Sequence, residues 1–386
     1  MTEQCDIAVI GGGPVGTSLA LALRDSGLDI RVLEARPADA PNTDARALAL
    51  SRGSRLLLDR LGIWNSIKGV SPIRTIHISQ RHSFGRAMLR ADEMGVPELG
   101  YVLSYPALHG ALDQTLRRSG CTLHYGASVA QLQGESGQAT LRYRVDGAEH
   151  ALRARLAVVA DGGRMLAERY PPEFHDYGQS AVIAHVASTA PQPGLAFERF
   201  TAQGPVALLP HGDGYELVWT APHDKAREML EWDDARFLRE LHGHFGDRVG
   251  EFVAAGQRSC FPLGLRRAPQ LSPMPHTVLL GNAAQTLHPV AGQGFNMGLR
   301  DAWELAQVVL DTGRAALGST EMLEAYRAAR RLDRAAGIRF TDSLVRLFSN
   351  DLPLLGTARG AALSALDCLP FAKHFVAKRM MFGANG

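Results

Sequence analysis

Residues 5–36, CDIAVIGGGPVGTSLALALRDSGLDIRVLEAR, decide the fold. The run from Ile7 to Ile10 is short, apolar and β-branched, as suits a strand buried on both faces in a parallel sheet. Val15, Leu19, Leu21, Ala22 and Leu23 then give a helix with a broad apolar face, which the sequence predicts to end at Gly27. IRVLEA is a second strand, so the stretch is one βαβ unit. Gly11, Gly13 and Gly16 sit at its first turn in a G-x-G-x-x-G pattern. The first glycine permits the tight turn, the second admits a pyrophosphate against the backbone, and the third lets helix pack on strand. The start of the helix, with Pro14 and Val15, then offers free N–H groups and a partial positive charge to phosphate. Glu34 closes the second strand, followed by Ala35, and a carboxylate there accepts ribose hydroxyls and repels a 2′-phosphate. The unit therefore predicts a dinucleotide site for FAD or NAD.

A second glycine-rich run lies far downstream at residues 281–302, GNAAQTLHPVAGQGFNMGLRDA. An NAD domain needs only the first loop, whereas FAD carries a ribityl chain and a wide ring that some distant segment must cover. The second run suits that task. Asn282 can bond a phosphate or ribityl oxygen, and Pro289 to Gly294, including Gly292, makes a turn bare of bulky side chains. Phe295 and Asn296 are expected to open a helix whose free N–H groups face the flavin. His288 is the best polar candidate for a catalytic base near that ring. A histidine that merely shapes the turn is the competing reading. His211 is a weaker candidate.

The rest of the chain reads as interleaved. Dinucleotide-fold pieces are expected at 1–70, 101–170 and 275–345. A strand-rich substrate domain is expected at 71–100 and 171–274, with one helix near DDARFLRELHGHF, and a helical tail at 346–386. The fold class is thus α/β, a Rossmann-like FAD-binding domain carrying an inserted strand-rich domain and a helical tail. The 386 residues are 46% apolar and 21% charged, enough for a sizeable core. A net charge of +2 gives no argument for nucleic acid. Four scattered cysteines and fourteen histidines show no metal-ligand spacing, so no metal is expected, and the thiols are read as buried in a reducing compartment. No apolar run reaches the roughly 18–20 residues needed to span a bilayer, and the first residues carry no leader pattern. A cytoplasmic protein is expected, with room for peripheral contact at the inner face of the membrane. The tail FSNDLPLLGTARGAALSALDCLPFAKHFVAKRMMFG mixes apolar residues with Arg359, Lys373, Lys378 and Arg379 against Asp351 and Asp367, a pattern that can lie on anionic lipid or pack as a cap.

These motifs resemble those of the class A flavoprotein monooxygenases, the p-hydroxybenzoate hydroxylase fold. Residues 281–296 resemble that family's third FAD motif, with Asn282 in place of an Asp and Gln285 in place of a His. Asp161-Gly162 resembles its short DG motif, Arg46 its arginine against the cofactor, and Val129 within ASV the strand that meets adenine. RFTAQGPVALLPHGDGYELVW and CFPL resemble the branch that hydroxylates ubiquinone precursors, and GNAAQTLHP the 2-octaprenyl-6-methoxyphenol type within it. Tyr105 stands where many relatives carry an Arg. The resemblance implies FAD, NAD(P)H as a transient co-substrate, O₂, and a prenylated phenol hydroxylated through a flavin C4a-hydroperoxide. It leaves room for a homo-oligomer and for association with other ubiquinone-biosynthesis proteins. A hydroxylase of another small aromatic compound, a flavin reductase of isoprenoid chains and a non-catalytic flavoprotein subunit stay open as rivals.

Overall fold

A computed structural model describes residues 3–44, 46–135, 137–348 and 355–384. The first strand, Glu3–Ile10, is buried throughout its second half and forms the middle of a seven-stranded sheet. Ile7 stands beside Ile30 on one side and Leu156 on the other, both pairings parallel. Thr122–Tyr125 extends the sheet past Ile30–Glu34. The long strand Ala148–Val159 pairs antiparallel with Gln138–Val145 through its early residues and parallel with Thr277–Leu279 through its last three. The second glycine run is thereby anchored beside the first, since Thr277–Leu279 feeds directly into Gly281. The first helix, Pro14–Ala22, is shorter than the sequence predicts: Leu23 caps it, and Gly27 (φ +73°) belongs to the following turn.

A nine-stranded sheet lies on the other side of the molecule. Its long strand Glu173–Ser188 pairs with Gly214–Pro222 and with Ser259–Arg267. The sheet continues through Gly204–His211 and Leu195–Thr201 to Thr75–Gln80 and Arg86–Arg90. Side chains alternate across it. One face packs on the helices His223–Glu231 and Asp234–Phe245 through Val182, Phe197, Leu208, Leu217 and Trp219. The other face looks toward the dinucleotide-fold sheet. His223–Glu231 escapes the sequence reading, because its nine residues bury only Ala226 and Met229 and give a weak periodic signal.

The pieces divide somewhat differently from the expected segments. Ser71–Ile73 joins a small sheet with Ala47–Ser51 and Gly100–Ser104, so only the later part of 71–100 enters the large sheet. Gln285–Thr286, from the third dinucleotide piece, pairs with that large sheet. The tail packs as a cap. Its helices Leu355–Cys368 and Pro370–Phe382 follow the long helix Thr320–Phe348 and cover the strands around residues 76–99. The Asp367 carboxylate accepts the Met88 N–H at 2.9 Å. Two of the tail's basic residues, for which lipid contact and cap packing were both open, point inward. Arg359 is buried, and Lys373 is 8% exposed, with its Nζ 2.8 Å from Glu93 and 3.6 Å from Asp367. Asp351 lies outside the described residues. Among the described residues no helix is long and apolar enough to cross a membrane. The four thiols are free, but only Cys5 is buried, and Cys368 is exposed, which corrects the expectation that all are interior.

Candidate FAD site and the cavity it opens into

A cavity of about 1260 Å³ separates the two main sheets. Both glycine runs line it. Gly11, Gly13, Pro14 and Val15 form one part of the wall, and Asn282, Pro289, Gly292, Gly294, Phe295 and Asn296 form another. Glu34, Ala35, Arg46, Val129, Asp161 and Gly162 complete the predicted set on the same surface. Two predicted residues are elsewhere. Gly16 is not on the wall: a Cβ there would stand 2.2 Å from the Gly11 carbonyl oxygen and 3.1 Å from Val9, so its task is to seat helix on strand. His288 is also off the wall and only 1% exposed.

The glycines fit a flat, phosphate-bearing ligand. A Cβ built on Gly13 or Gly294 meets no atom within 4 Å, so both face open space. Gly11 (φ +106°) could not carry a side chain, because its Cβ would come 2.6 Å from the Ala160 oxygen. Gly13 caps Pro14–Ala22 and Gly292, at φ +60°, caps Gln293–Asp311, and neither supplies a capping side chain. Two helix starts thus present N–H groups to one cavity, which favours anionic and electron-rich atoms at both ends. The second of these helices begins at Gln293, two residues before the sequence predicts.

The polar side chains divide into those already engaged and those still available. Glu34 accepts the Gly12 N–H at 2.7 Å through Oε2, and the Arg36 N–H and Nε–H at 2.9 and 3.0 Å through Oε1. It therefore braces the loop, and a ribose hydroxyl would share its remaining lone pairs. Asp161 accepts the N–H groups of Gly163 and Met165, both at 2.8 Å, and shapes the turn that carries Gly162. Arg46 pairs with Asp44 and lies 5.8 Å from the Tyr105 ring centre and 5.6 Å from that of Phe261. Asn296 lines the wall with its side chain fully spent inside the protein. Its Oδ1 accepts from Ser51 N–H at 2.8 Å and Ser54 Oγ–H at 2.6 Å, and its Nδ2 donates to the oxygens of Ala49 and Gly292. Asn282 is exposed at the rim, with no side-chain hydrogen bond among the described residues.

His288 takes the turn-shaping role. Its Nδ1 accepts the Val290 N–H at 3.1 Å, which leaves the proton on Nε2, and its ring stands edge to face with Tyr177 at 5.5 Å. Burial pushes its pKa down to about 4, so it stays neutral at physiological pH. Gln285 finds its reason in a buried network. It donates to Asp301 at 2.7 Å and accepts from Arg334 at 2.8 Å, while Asp301 also accepts the Gly281 N–H and pairs with Arg330 at 2.7 Å.

The chain belongs to the FAD binding domain family. That family matches residues 4–341, a span that includes both glycine runs lining the cavity. The uncharacterized protein slr1300 of Synechocystis is 34% identical over all of this chain and 94% of its own length. Ubiquinone hydroxylase UbiL of Rhodospirillum rubrum is 32% identical over 98% of this chain and 90% of its own. The 3-demethoxyubiquinol 3-hydroxylase of Escherichia coli is 31% identical over 95% and 96%. Among solved structures, p-nitrophenol 4-monooxygenase PnpA from Pseudomonas putida DLL-E4 shares the fold, with a TM-score of 0.79 over 99% of this chain and 100% of that one at 18% identity.

Beyond the cradle the FAD-side cavity continues into an apolar chamber that the sequence motifs do not reveal. The large sheet contributes Ile78, Ile183, Leu209 and Val218, and the C-terminal helices contribute Leu344, Leu363, Leu366 and Met380. Two carboxylates of the large sheet, Glu198 and Glu216, also line the cavity. The sheet also assembles a cluster that sequence spacing hides: Glu216 Oε1 lies 3.1 Å from His185 Nδ1 and 2.9 Å from His211 Nδ1. These three residues could hold a metal, whereas no metal-ligand spacing is visible in the sequence. Cross-strand pairing joins His185 to Glu216 and places His211 diagonally from it.

Proposed function

We propose that this chain is an FAD-dependent monooxygenase that hydroxylates the aromatic ring of a prenylated phenol in ubiquinone biosynthesis, using NAD(P)H and O₂. One observation carries the reading: the FAD cradle opens, without a break in the wall, into a chamber lined by aliphatic and aromatic side chains. A small polar aromatic would leave most of that surface unsatisfied, whereas a prenyl chain covers it and gains about 25 cal/mol per Å² of apolar area removed from water. The ubiquinone hydroxylases aligned along almost the whole chain support the same substrate class.

Bound FAD supplies electron transfer from NAD(P)H and the activation of O₂. The protein's tasks are to hold and to exclude. The two helix starts and the bare backbone at Gly13 and Gly294 fix the cofactor's position. The C-terminal helices wall one side of the apolar chamber with Leu363, Leu366 and Met380, and limiting water there would protect a reactive oxygen species from wasteful decay.

Peripheral membrane contact follows from the same substrate class. The helix Pro370–Phe382 buries Lys373, Ala377 and Met381 against the protein, and its opposite face exposes Phe371 (74%), Phe375 (62%) and Lys378. Two aromatics beside a cation suit a lipid headgroup boundary, where a prenylated substrate would be met.

The test uses the FAD-loaded enzyme with a short-chain prenylated phenol. NAD(P)H oxidation that depends on both phenol and O₂, with a product heavier by one oxygen atom, is the expected result. NAD(P)H oxidation without O₂ dependence, or a deletion strain whose quinone content is unchanged and which accumulates no under-hydroxylated phenol, overturns the reading.

A further inference from the structure

Five acidic residues line the cavity, and four of them are engaged. Glu34 is held by the Gly12 N–H and Arg36, Asp44 by Arg46, Asp161 by two backbone N–H groups, and Glu216 by two histidines. Glu198 is the exception: no hydrogen bond or ion pair to it is present among the described residues. It sits in Leu195–Thr201, flanked by Ile78 on one neighbouring strand and Ala207 on the other. Strand alternation fixes its direction. Phe197 enters the helix-covered core on the far face and Arg199 bonds Ser79 there, while Ala196, Glu198 and Phe200 line the cavity.

An unpaired carboxylate in an apolar chamber bears a desolvation penalty that nothing offsets unless a donor arrives with the ligand. We propose that Glu198 accepts the ring hydroxyl of the substrate, fixing the phenol in the chamber and taking its proton during turnover. The assignment rests on the substrate class proposed above. In the proton step the hydroxyl O–H bond breaks, its electron pair stays on the phenol oxygen, and the proton moves to a Glu198 carboxylate oxygen. It returns when the product hydroxyl re-forms. The electron pair left on the oxygen enriches the ring, which is what attack by an electrophilic oxygen requires. The other titratable groups on this sheet face, His185, His211 and Glu216, are bonded to one another. His77 belongs with Phe197 to the opposite face.

The experiment measures equilibrium binding to FAD-loaded enzyme, without NAD(P)H, of 2-prenylphenol and its methyl ether, which differ only in the hydroxyl donor. A hydrogen bond to a charged acceptor predicts that the wild type at about pH 8 prefers the phenol by roughly 10- to 100-fold. Burial raises the Glu198 carboxyl to about 7, so the preference should shrink as pH falls through that value. In Glu198→Gln it should drop below about tenfold and no longer vary with pH, since the amide oxygen is a neutral acceptor. FAD content should equal that of wild type. Equal affinity for phenol and ether at every pH, or a wild-type preference retained in Glu198→Gln, overturns the assignment, and the wild-type series alone decides if the variant does not fold. Binding of neither compound removes the substrate class and this assignment together. Glu198-dependent phenol binding without hydroxylation would instead defeat the proposed reaction and leave this site standing.

Discussion

Val15 and Gly281, 266 residues apart in the chain, are in van der Waals contact range: a Cβ on Gly281 would lie 3.2 Å from Val15 Cγ2. Gly298, one turn into the helix Gln293–Asp311, is closer still, its Cβ falling 2.9 Å from the same methyl and 3.3 Å from Gly281 Cα. The two helix starts that face the cavity are thus held together by the absence of side chains at two glycines. Gly298 is helical, so the space it leaves, rather than its backbone angle, accounts for its use there.

Gly298→Ala should therefore act by overpacking. An added methyl at 2.9 Å forces the two helix starts apart, at a cost of about 1–3 kcal/mol, and weakens FAD retention because both ends of the cradle move. Val15→Ala in the same chain should recover most of that loss. Thermal unfolding of the two single variants and the double variant measures the coupling. Simple addition of the two single effects would mean that the contact does not set the helix spacing.

Two glycines of the first loop should fail in opposite ways. Gly13→Val adds a side chain where no protein atom lies within 4 Å, so the fold should survive and the pyrophosphate should be excluded. The purified variant is expected to be colourless, with thermal stability close to that of wild-type apoprotein. Gly16→Val drives a side chain into the Gly11 oxygen and should compromise folding itself. Normal flavin absorbance in Gly13→Val would show that the phosphate does not pass this loop.

The cradle was legible in the sequence because backbone chemistry demanded particular residues at fixed spacings. Gly11, Gly13, Glu34, Gly292 and Gly294 have few substitutes where a turn or a bare surface is needed. Side chains whose partners lie far along the chain were not legible. The four hydrogen bonds of the Asn296 side chain, which close on Ser51, Ser54, Ala49 and Gly292, left no mark in the local pattern. Lys373 read as either a lipid contact or part of a packed cap, and Glu93, 280 positions earlier, is the partner that draws it inward. Glu198 gave no signal at all, because a lone carboxylate on an alternating strand reads as solvent-facing until the cavity over it is seen.

The second glycine turn depends on a buried ionic cluster that no local pattern marks. Arg330, 1% exposed, bonds Asp301 at 2.7 Å and Asp333 at 2.8 Å, and Asp333 also meets Arg300 at 2.8 Å. Burial pushes the Asp333 carboxyl upward, but the two arginines more than offset it and hold the pKa at about 2. Arg330→Ala takes the bonded cation from buried Asp301 and leaves Asp333 with Arg300, and should cost about 3–5 kcal/mol. It should also loosen Gly281, whose N–H depends on Asp301. Denaturant unfolding checks the first effect and FAD dissociation the second. Wild-type stability in this variant would mean that the cluster is replaceable by water.

The exposed aromatic face of Pro370–Phe382 gives a prediction separable from the chemistry. Phe371→Glu with Phe375→Glu should leave FAD content and turnover of a short-chain phenol in detergent unchanged, because neither ring lines the cavity. Co-sedimentation with vesicles containing anionic lipid should fall sharply, and turnover of a long-chain substrate embedded in those vesicles should fall with it. Equal sedimentation of variant and wild type would leave that face with no part in lipid contact.

Glu198 also leaves a mark on stability before any substrate binds. Its carboxyl is raised from an ordinary 4.5 to about 7 by burial, so the folded chain disfavours the charged form. A group shifted upward contributes most to stability below its unfolded value, and the contribution is lost as pH rises toward the folded one. Above pH 7 the substrate-free enzyme carries an unpaired, largely desolvated charge on the cavity wall. Glu198→Gln removes that charge at nearly constant volume. The variant should therefore melt a few degrees higher than wild type at about pH 8, within a ceiling of about 3 kcal/mol, and nearly together with it at about pH 5. A variant less stable than wild type at pH 8 would mean that a donor inside the protein already satisfies the carboxylate, and the chamber would then have no vacant acceptor to offer a phenol.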